Sequence, residues 1–533
     1  MENPVDQKSS HLSRGRACFS CRRRKMRCDG VHPVCGQCKR ARRDEDCEYV
    51  HGQKRAKVEI LLENISQVES RIYELENPHL NHQPGVPLQR PYQQGGAGPL
   101  PPSDSVANEP PDDIVRKLVD LFLAYSSEFG FFLNAPRFRQ SALLRQPLGH
   151  PARPSPALLW AVYLCGLRLS KQTQLIAQEP MFLARALDLA AKGLSGNHPQ
   201  RVMHNLQAEI LLAYYLFASG RFLEGKYHAA SAVSLGLSSS LHTIRSANSP
   251  SSFLPPAQDA IEEGERIHAC WAVMVLDKAW AVVLGENPHL NHQQQNLVVD
   301  TPWPLEMDDY GKGRLGRTAV YSNTLHKFIN GLPTSDTGMS TVAMLSKASI
   351  LWQHADSFIR DLKPDMPRSE LRAFQESFAT LDGLVDKFCF GLVPPNCIPH
   401  PTPAMTRALV VAHSIAHTVT IKLQSIPPLR PDPRARQKRL IAATNVLNII
   451  VSVPLQYFAF VNPVMGTVWM ASCQVLMDEI STLRTQRTTP QGEESSLVNL
   501  LTRTIGVLSS FSGTCPLLNY QISRIQEACA GMQ

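Results

Sequence analysis

Convincing alternating strands are scarce along this chain of 533 residues, and three familiar catalytic signatures are missing: it contains no H-E-x-x-H, no G-x-S-x-G and no P-loop. Catalysis is therefore not indicated. A G-x-G-x-x-G does occur at Gly311, Gly313 and Gly316, but the preceding TPWPLEMDDY is not a strand, so the match reads as a loop rather than a dinucleotide site. His413 and His417 stand four apart, as metal ligands on a helix can, yet no glutamate separates them and no third ligand suggests itself; they read as a packed pair. The opening residues MENPVDQKSS are polar and lack the apolar core of a secretory signal, which predicts an intracellular, reduced protein. No charged residue lies between Arg439 and Asp478. Asn445, Asn448, Pro454, Gln456, Asn462 and Pro463 interrupt that run, however, so no clean apolar span of about 20 residues survives, and buried core helices are expected in place of a membrane segment.

Cysteine, by contrast, is concentrated. Six of the 13 cysteines fall between Cys18 and Cys47 in the order C-x2-C-x6-C-x6-C-x2-C-x8-C. The other seven, Cys165, Cys270, Cys389, Cys397, Cys473, Cys515 and Cys529, lie mostly in apolar helical stretches and suit packing. The clustered six form a metal-binding framework. A tetrahedral zinc takes four ligands, so six thiolates serve two zincs only if two of them bridge both metals. Each half opens with C-x2-C (Cys18 and Cys21, then Cys35 and Cys38), which sets two sulfurs about one helical turn apart at a helix start, where free backbone N–H groups and the helix dipole favour the thiolate. Cys28 and Cys47 close the halves. One zinc with spare thiols, or disulfides, is the alternative, and disulfides fit poorly with a reduced compartment.

The formal net charge is +8, and residues 1–57 carry all of it, with 15 Lys and Arg against 7 Asp and Glu; the remaining chain is neutral. Two Zn2+ and six thiolates sum to −2, so some arginines have a local use. The run Arg22, Arg23, Arg24, Lys25, Arg27 exceeds that need, and a nucleic-acid phosphate surface is the better reading, with nuclear import through the same stretch as a second use.

R-A-C-F-S-C-R-R-R-K-M-R-C-D-G, a loop carrying Pro33, and then C-G-Q-C-K-R resemble the zinc binuclear cluster DNA-binding domain of fungal transcription factors. The resemblance implies a domain over 14–50 holding two Zn2+ through Cys18, Cys21, Cys28, Cys35, Cys38 and Cys47, with Cys18 and Cys35 bridging. It also implies that Lys25, three positions before Cys28 at the end of the first short helix, contacts the guanines of a CGG triplet in double-stranded DNA, leaving Arg22, Arg24 and Arg27 mainly to phosphates.

Farther on, apolar residues recur at Val58, Leu61, Ile65, Val68, Ile72 and Leu75 in steps of 3 and 4. This is a heptad seam with β-branched residues at a and mostly Leu at d, the combination that favours a parallel dimer, and Arg71 and Glu76 attract across the pair. An amphipathic helix docking on its own chain is the alternative, but residues 58–76 are expected to be a coiled-coil homodimerisation helix. Residues 77–112, rich in Pro, Gly and Gln, predict a disordered linker.

Residues 113–533 predict a large all-α domain. Ile114, Leu118, Leu121, Phe122, Tyr125 and Phe129 repeat at helical spacing, as do apolar residues in 158–169, 181–189 and 209–217, with breaks at 197–200 and 249–257. ERIHACWAVMVLDKAWAVVLGENP (residues 265–288) resembles the signature helix of the fungal-specific transcription factor middle homology domain, with Trp271, Asp277, Lys278, Gly285 and Pro288 on the motif. The octapeptide E-N-P-H-L-N-H-Q occurs identically at 76–83 and 286–293; its proline suits a helix stop, and nothing physical requires the rest to repeat.

These readings together imply a mostly α, nuclear, zinc-dependent transcription factor that regulates RNA polymerase II transcription, contacts the transcription machinery and is not an enzyme. Three rivals stand beside this reading: an enzyme with a zinc appendage, a metal buffer or sensor, and a DNA-independent scaffold or co-regulator. The first lacks a convergent polar constellation, the second leaves the cationic surplus without a purpose, and the third is the principal alternative.

Overall fold

The computed structural model describes residues 17–47, 49 and 109–531, apart from 171, 248–252, 291–296, 317–318, 335, 337, 364–365, 395–396, 398–400, 427–431, 454–459, 487–490, 512 and 514. The heptad seam at 58–76, the first octapeptide copy and most of the 77–112 linker lie outside the described residues. The chain divides into two compact units, Met1–Asp104 and Ser105–Gln533.

Among its described residues the first unit contains two short helices, α1 (Phe19–Arg23) and α2 (Gly36–Arg40), around a core made of cysteines instead of aliphatic side chains. The second is helical throughout; among the described residues no β-strand forms, and a lone bridge joins Ser246 to Tyr321. Its longer helices are α3 (Asp112–Ala124), α4 (Ala135–Ala142), α5 (Pro156–Leu169), α6 (Glu179–Lys192), α7 (Arg201–Ala218), α8 (Phe222–Ser238), α9 (Ala260–Leu284), α10 (Thr341–Arg360), α11 (Arg368–Gly391), α12 (Pro403–Leu423), α13 (Pro433–Ser452), α14 (Met465–Gln486), α15 (Gln491–Ser509) and α16 (Pro516–Ala530).

Sequence punctuation sets the helix starts. Ser155, Ser340 and Thr402 each cap a helix by accepting the N–H three residues on, and Pro156 and Pro403 then occupy first-turn positions where a missing N–H costs nothing. The helices differ in how far round they are apolar. In α5, α7, α9, α10 and α12 almost every central residue is buried, so these form the interior, whereas α11 buries only Leu381 and Val385 and lies outside. Successive helices pack side by side: α8 on α9, α9 on α10, α10 on α12, α12 on α13 and α13 on α14. Gly166 lets α5 approach α3 closely, since a Cβ there would lie 2.3 Å from the Leu118 carbonyl oxygen.

The helix α9 begins five residues before the motif start at Glu265, because the Asp259 carboxylate caps the N–H groups of Ile261 and Glu262, both at 2.9 Å. Its motif residues hold the chain that returns along it. Trp271 donates Nε1–H to the Pro302 carbonyl at 2.7 Å and stacks on Trp303. Gly285 ends the helix at φ +69°. Asp277 then accepts the backbone N–H groups of His289 (2.8 Å) and Leu290 (3.0 Å), and the buried Lys278 donates to the Leu290 carbonyl. The second octapeptide copy is thus fastened by the Asp-Lys pair of the motif. Burial pulls the Lys278 ammonium down to about 8, against the attraction of Asp277. Asp277→Ala removes the acceptor for two amides, so unfolding free energy should fall by about 2–4 kcal/mol, and hydrogen exchange at His289 and Leu290 should accelerate. Exchange that stays slow at both amides would show that Asp277 does not fasten this turn.

At the junction of α3, α7, α12 and the approach to α14, Glu128 and Arg407 form an ion pair in which both side chains are essentially inaccessible (2% and 3%). Glu128 also accepts the Asn462 N–H at 3.0 Å, and Arg407 donates to the Ala124 carbonyl at 2.6 Å. The linker ends earlier than expected: α3 starts at Asp112, and Glu109 is already paired with the buried Arg153 and with the Tyr163 hydroxyl. One helix among the described residues, α9, is long and apolar enough to cross a membrane, and 83% of its apolar window is buried in the helical core. The uncharged run from 440 to 477 enters α13 up to Ser452 and α14 from Met465. Gly311 is the last residue of a five-residue helix and Gly313 lies in the turn after it, and His413 donates Nε2–H to the Val393 carbonyl (2.9 Å) beside His417. Of the seven remaining cysteines Cys165, Cys270, Cys473 and Cys515 are buried and Cys389 and Cys529 partly so; Cys397 is exposed, which departs from a packing role.

Candidate metal centre and nucleic-acid interface

The first unit is built from two similar halves. Cys18 caps α1 and its Sγ accepts the Cys21 N–H at 3.4 Å; Cys35 caps α2 and its Sγ accepts the Cys38 N–H at 3.3 Å. Each helix closes on a residue in the left-handed region, Lys25 at φ +50° and Arg42 at φ +52°, whose N–H groups bond to the Arg22 and Lys39 carbonyls. Each half thus has the same turn-helix-turn, seventeen positions apart. The spacing C-x2-C produces it, because one helical turn carries the second thiol back beside the first.

Packing the halves brings the sulfurs together. Sγ of Cys18 lies 3.7 Å from that of Cys35 and 3.8 Å from that of Cys38, and Cys21 Sγ lies 3.6 Å from Cys35 Sγ. Two tetrads result, Cys18, Cys21, Cys28, Cys35 and Cys18, Cys35, Cys38, Cys47, each with its four sulfurs within 4.8 Å of one another. They share Cys18 and Cys35. A tetrahedral zinc with Zn–S bonds of about 2.3 Å holds its sulfurs about 3.8 Å apart, so the donor set fits two such ions along a common Cys18–Cys35 edge. Cys18, Cys35 and Cys38 are fully buried, Cys21 and Cys47 nearly so. Burial pushes the Cys18 thiol far up, that of Cys21 up to about 12 and that of Cys47 up to about 11; such thiols ionise only when a cation compensates them. Zn2+ supplies that charge, and the N–H groups of Cys21, Cys38 and Cys35 add hydrogen bonds to the sulfurs of Cys18, Cys35 and Cys47.

Three further residues brace the halves and were not singled out by the cysteine pattern. The Asp29 carboxylate accepts the Gly36 N–H at 2.9 Å and the Val31 N–H at 3.3 Å, anchoring the first half to the N-terminus of α2, where an anion is also favoured by the helix dipole. Gly36 is required for this, as a Cβ would meet Asp29 Oδ2 at 2.4 Å. Tyr49 donates to the Val31 carbonyl at 3.0 Å and packs on His32 in the loop that carries Pro33. An aspartate one residue after Cys28 and a tyrosine two after Cys47 were the available signals.

Arg22, Arg23, Arg24, Lys25 and Arg27 are all exposed, and none forms an ion pair among the described residues. They occupy the end of α1 and the turn after it, with Lys25 directly beyond the C-cap Arg24. Lys39, Arg40 and Arg42 are exposed at the corresponding end of α2. The buried thiols therefore carry on their outside a cationic surface with charge to spare, suited to phosphates.

Residues 16–57 match the fungal Zn(2)-Cys(6) binuclear cluster domain, which binds two zinc ions through six cysteines, and residues 119–313 match the fungal specific transcription factor domain. No curated protein matches the chain. The second match runs from α3 through α9 and the loop beyond it, and so takes in the Asp277–Lys278 fastening. Neither domain is one of enzymes.

Proposed function

We propose that this chain, a fungal Zn(2)-Cys(6) transcription factor that binds DNA, reads CGG half-sites as a homodimer in the nucleus and so regulates transcription by RNA polymerase II. The observation that carries the reading is the shared Cys18–Cys35 edge of the two sulfur tetrads, with the exposed cations of the α1 end directly outside it. In this reading Cys18 and Cys35 bridge, Cys21 and Cys28 complete one zinc, and Cys38 and Cys47 complete the other. The metals fix α1 in place, and α1 presents Lys25 to the base edges of the major groove while Arg22, Arg24 and Arg27 hold phosphates and set the register. The domain spans 14–50, the heptad helix 58–76 pairs two copies, residues 77–112 connect, and the helical body from 113 onward contacts the transcription machinery.

Lys25→Ala separates base reading from general attraction. It should cost about 1–3 kcal/mol on a CGG duplex and little on a scrambled one. Arg24→Ala should weaken both alike and lower the salt dependence by about one phosphate contact. Titration of both variants of the full chain against the two duplexes at two salt concentrations checks this, and a uniform loss for Lys25→Ala would mean that Lys25 only offsets charge. Polar replacement of Ile65 and Ile72 should weaken binding to a two-half-site duplex far more than to a single half-site; equal loss on both would place the seam against its own chain.

A further inference from the structure

Within the helical unit a cavity of about 470 Å³ opens between α9, α10, α12, α13 and α14. Its walls are apolar where Val282, Trp352, Ile421 and Val475 meet, and Trp352 is buried. The cavity is wide enough for a small organic molecule, and such sites combine an apolar body with a few placed polar groups. The polar groups here are unequal in their satisfaction. Lys422 is bonded to Asp356, and Asp478, at the exposed edge, accepts the Gln474 amide at 2.8 Å. On α13 the cations flanking Arg439 are neutralised as well, Arg436 by Glu479 and Lys438 by Asp382 and Asp386. Arg439 differs: its Nε is buried without a hydrogen-bond partner, and it forms no ion pair among the described residues.

A half-buried guanidinium with no ion-pair partner and a buried, unbonded Nε costs free energy that an incoming anion recovers. We propose that this cavity binds a small monocarboxylate with an apolar body, the carboxylate on Arg439 and the body against Trp352, Val282 and Ile421. A guanidinium matches the two oxygens of a carboxylate in one plane. A doubly charged phosphate fits less well, because a single cation is free to meet it and Asp478, which also lines the cavity, repels two charges more than one. The inference concerns the helical body alone and is independent of how the zinc unit reads DNA.

The test is isothermal titration of the full-length, zinc-loaded protein with 4-phenylbutyrate, with its neutral isostere 4-phenylbutanamide and with inorganic phosphate. 4-Phenylbutyrate should bind saturably and about tenfold or more tighter than the amide, and phosphate more weakly than either. Arg439→Gln should bring the carboxylate down to the affinity of the amide. Ala471→Phe, which fills the cavity from α14, should weaken both. Helical circular dichroism and melting temperature of each variant separate lost binding from lost fold. The inference is overturned if 4-phenylbutyrate shows no binding up to about 10 mM, if the amide binds equally well, if phosphate binds more tightly, or if a folded Arg439→Gln binds the carboxylate undiminished.

Discussion

Cys18→Ala and Cys35→Ala are each expected to release both zinc ions and unfold the N-terminal unit, whereas Cys47→Ala should leave one zinc bound. The difference follows from the shared edge: Cys18 and Cys35 belong to both sulfur tetrads, and Cys47 to one. Among the described residues of this unit there is no aliphatic core to fall back on, since the buried ones are the cysteines themselves. Coordination must then supply most of its folding free energy, on the order of ten kcal/mol for each structural zinc. Elemental analysis of the purified full-length variants gives the count. Two zincs in the parent, none in Cys18→Ala and one in Cys47→Ala fit the bridged arrangement, and one zinc in the parent would reject it. A chelator should reproduce the Cys18→Ala state, with loss of DNA binding while the helical unit keeps its melting transition.

The second large effect lies in the helical unit, at Glu128 and Arg407. Arg407→Met should reduce its stability by about 3–5 kcal/mol, because the arginine leaves behind a carboxylate that water does not reach. Burial already pushes the Glu128 carboxyl above the ordinary carboxylate range, with Arg407 and the Asn462 amide pulling it back. Without Arg407 the folded-state value rises further. Glu128 then takes up a proton on folding between its unfolded and folded values, so stability falls as pH rises through that window and the penalty of the variant is larger at neutral pH than in mild acid. Adding Glu128→Gln should recover much of the loss, since the uncompensated charge is then gone. Chemical denaturation of the single and double variants at two pH values measures each term. A single variant within about 0.5 kcal/mol of the parent at neutral pH would mean that water or another group solvates Glu128.

The two units were legible in the sequence to different degrees, for a physical reason. The zinc site is local: its six cysteines lie within thirty positions, their spacing is commensurate with one helical turn, and the partners are of one residue type. Lys25 was singled out by the family resemblance and not by the spacing; it stands just beyond the C-cap of α1. Asp29 and Gly36 did not show, because a carboxylate that caps another half's helix leaves no periodic trace and an isolated glycine looks like any turn. In the helical unit the apolar stretches at 158–169, 181–189 and 209–217 all lie in helices, since hydrophobic periodicity is also local. The start of α9 was displaced by the Asp259 cap, which precedes the apolar run. Glu128 and Arg407 are 279 positions apart, and nothing in the local pattern of either announces a buried partner. The Asp277–Lys278 pair was visible as a motif, but its task became clear only when the chain after Pro288 was seen to fold back onto it.

Binding-site selection with the full-length, zinc-loaded protein on a randomised duplex tests whether the zinc cluster presents a sequence-reading surface. CGG triplets, paired at a fixed separation, should be enriched, and the enrichment should vanish when a chelator removes zinc and flatten in Lys25→Ala. Recovery of unenriched sequence by the zinc-loaded protein, or of the same sequences with and without zinc, would contradict it.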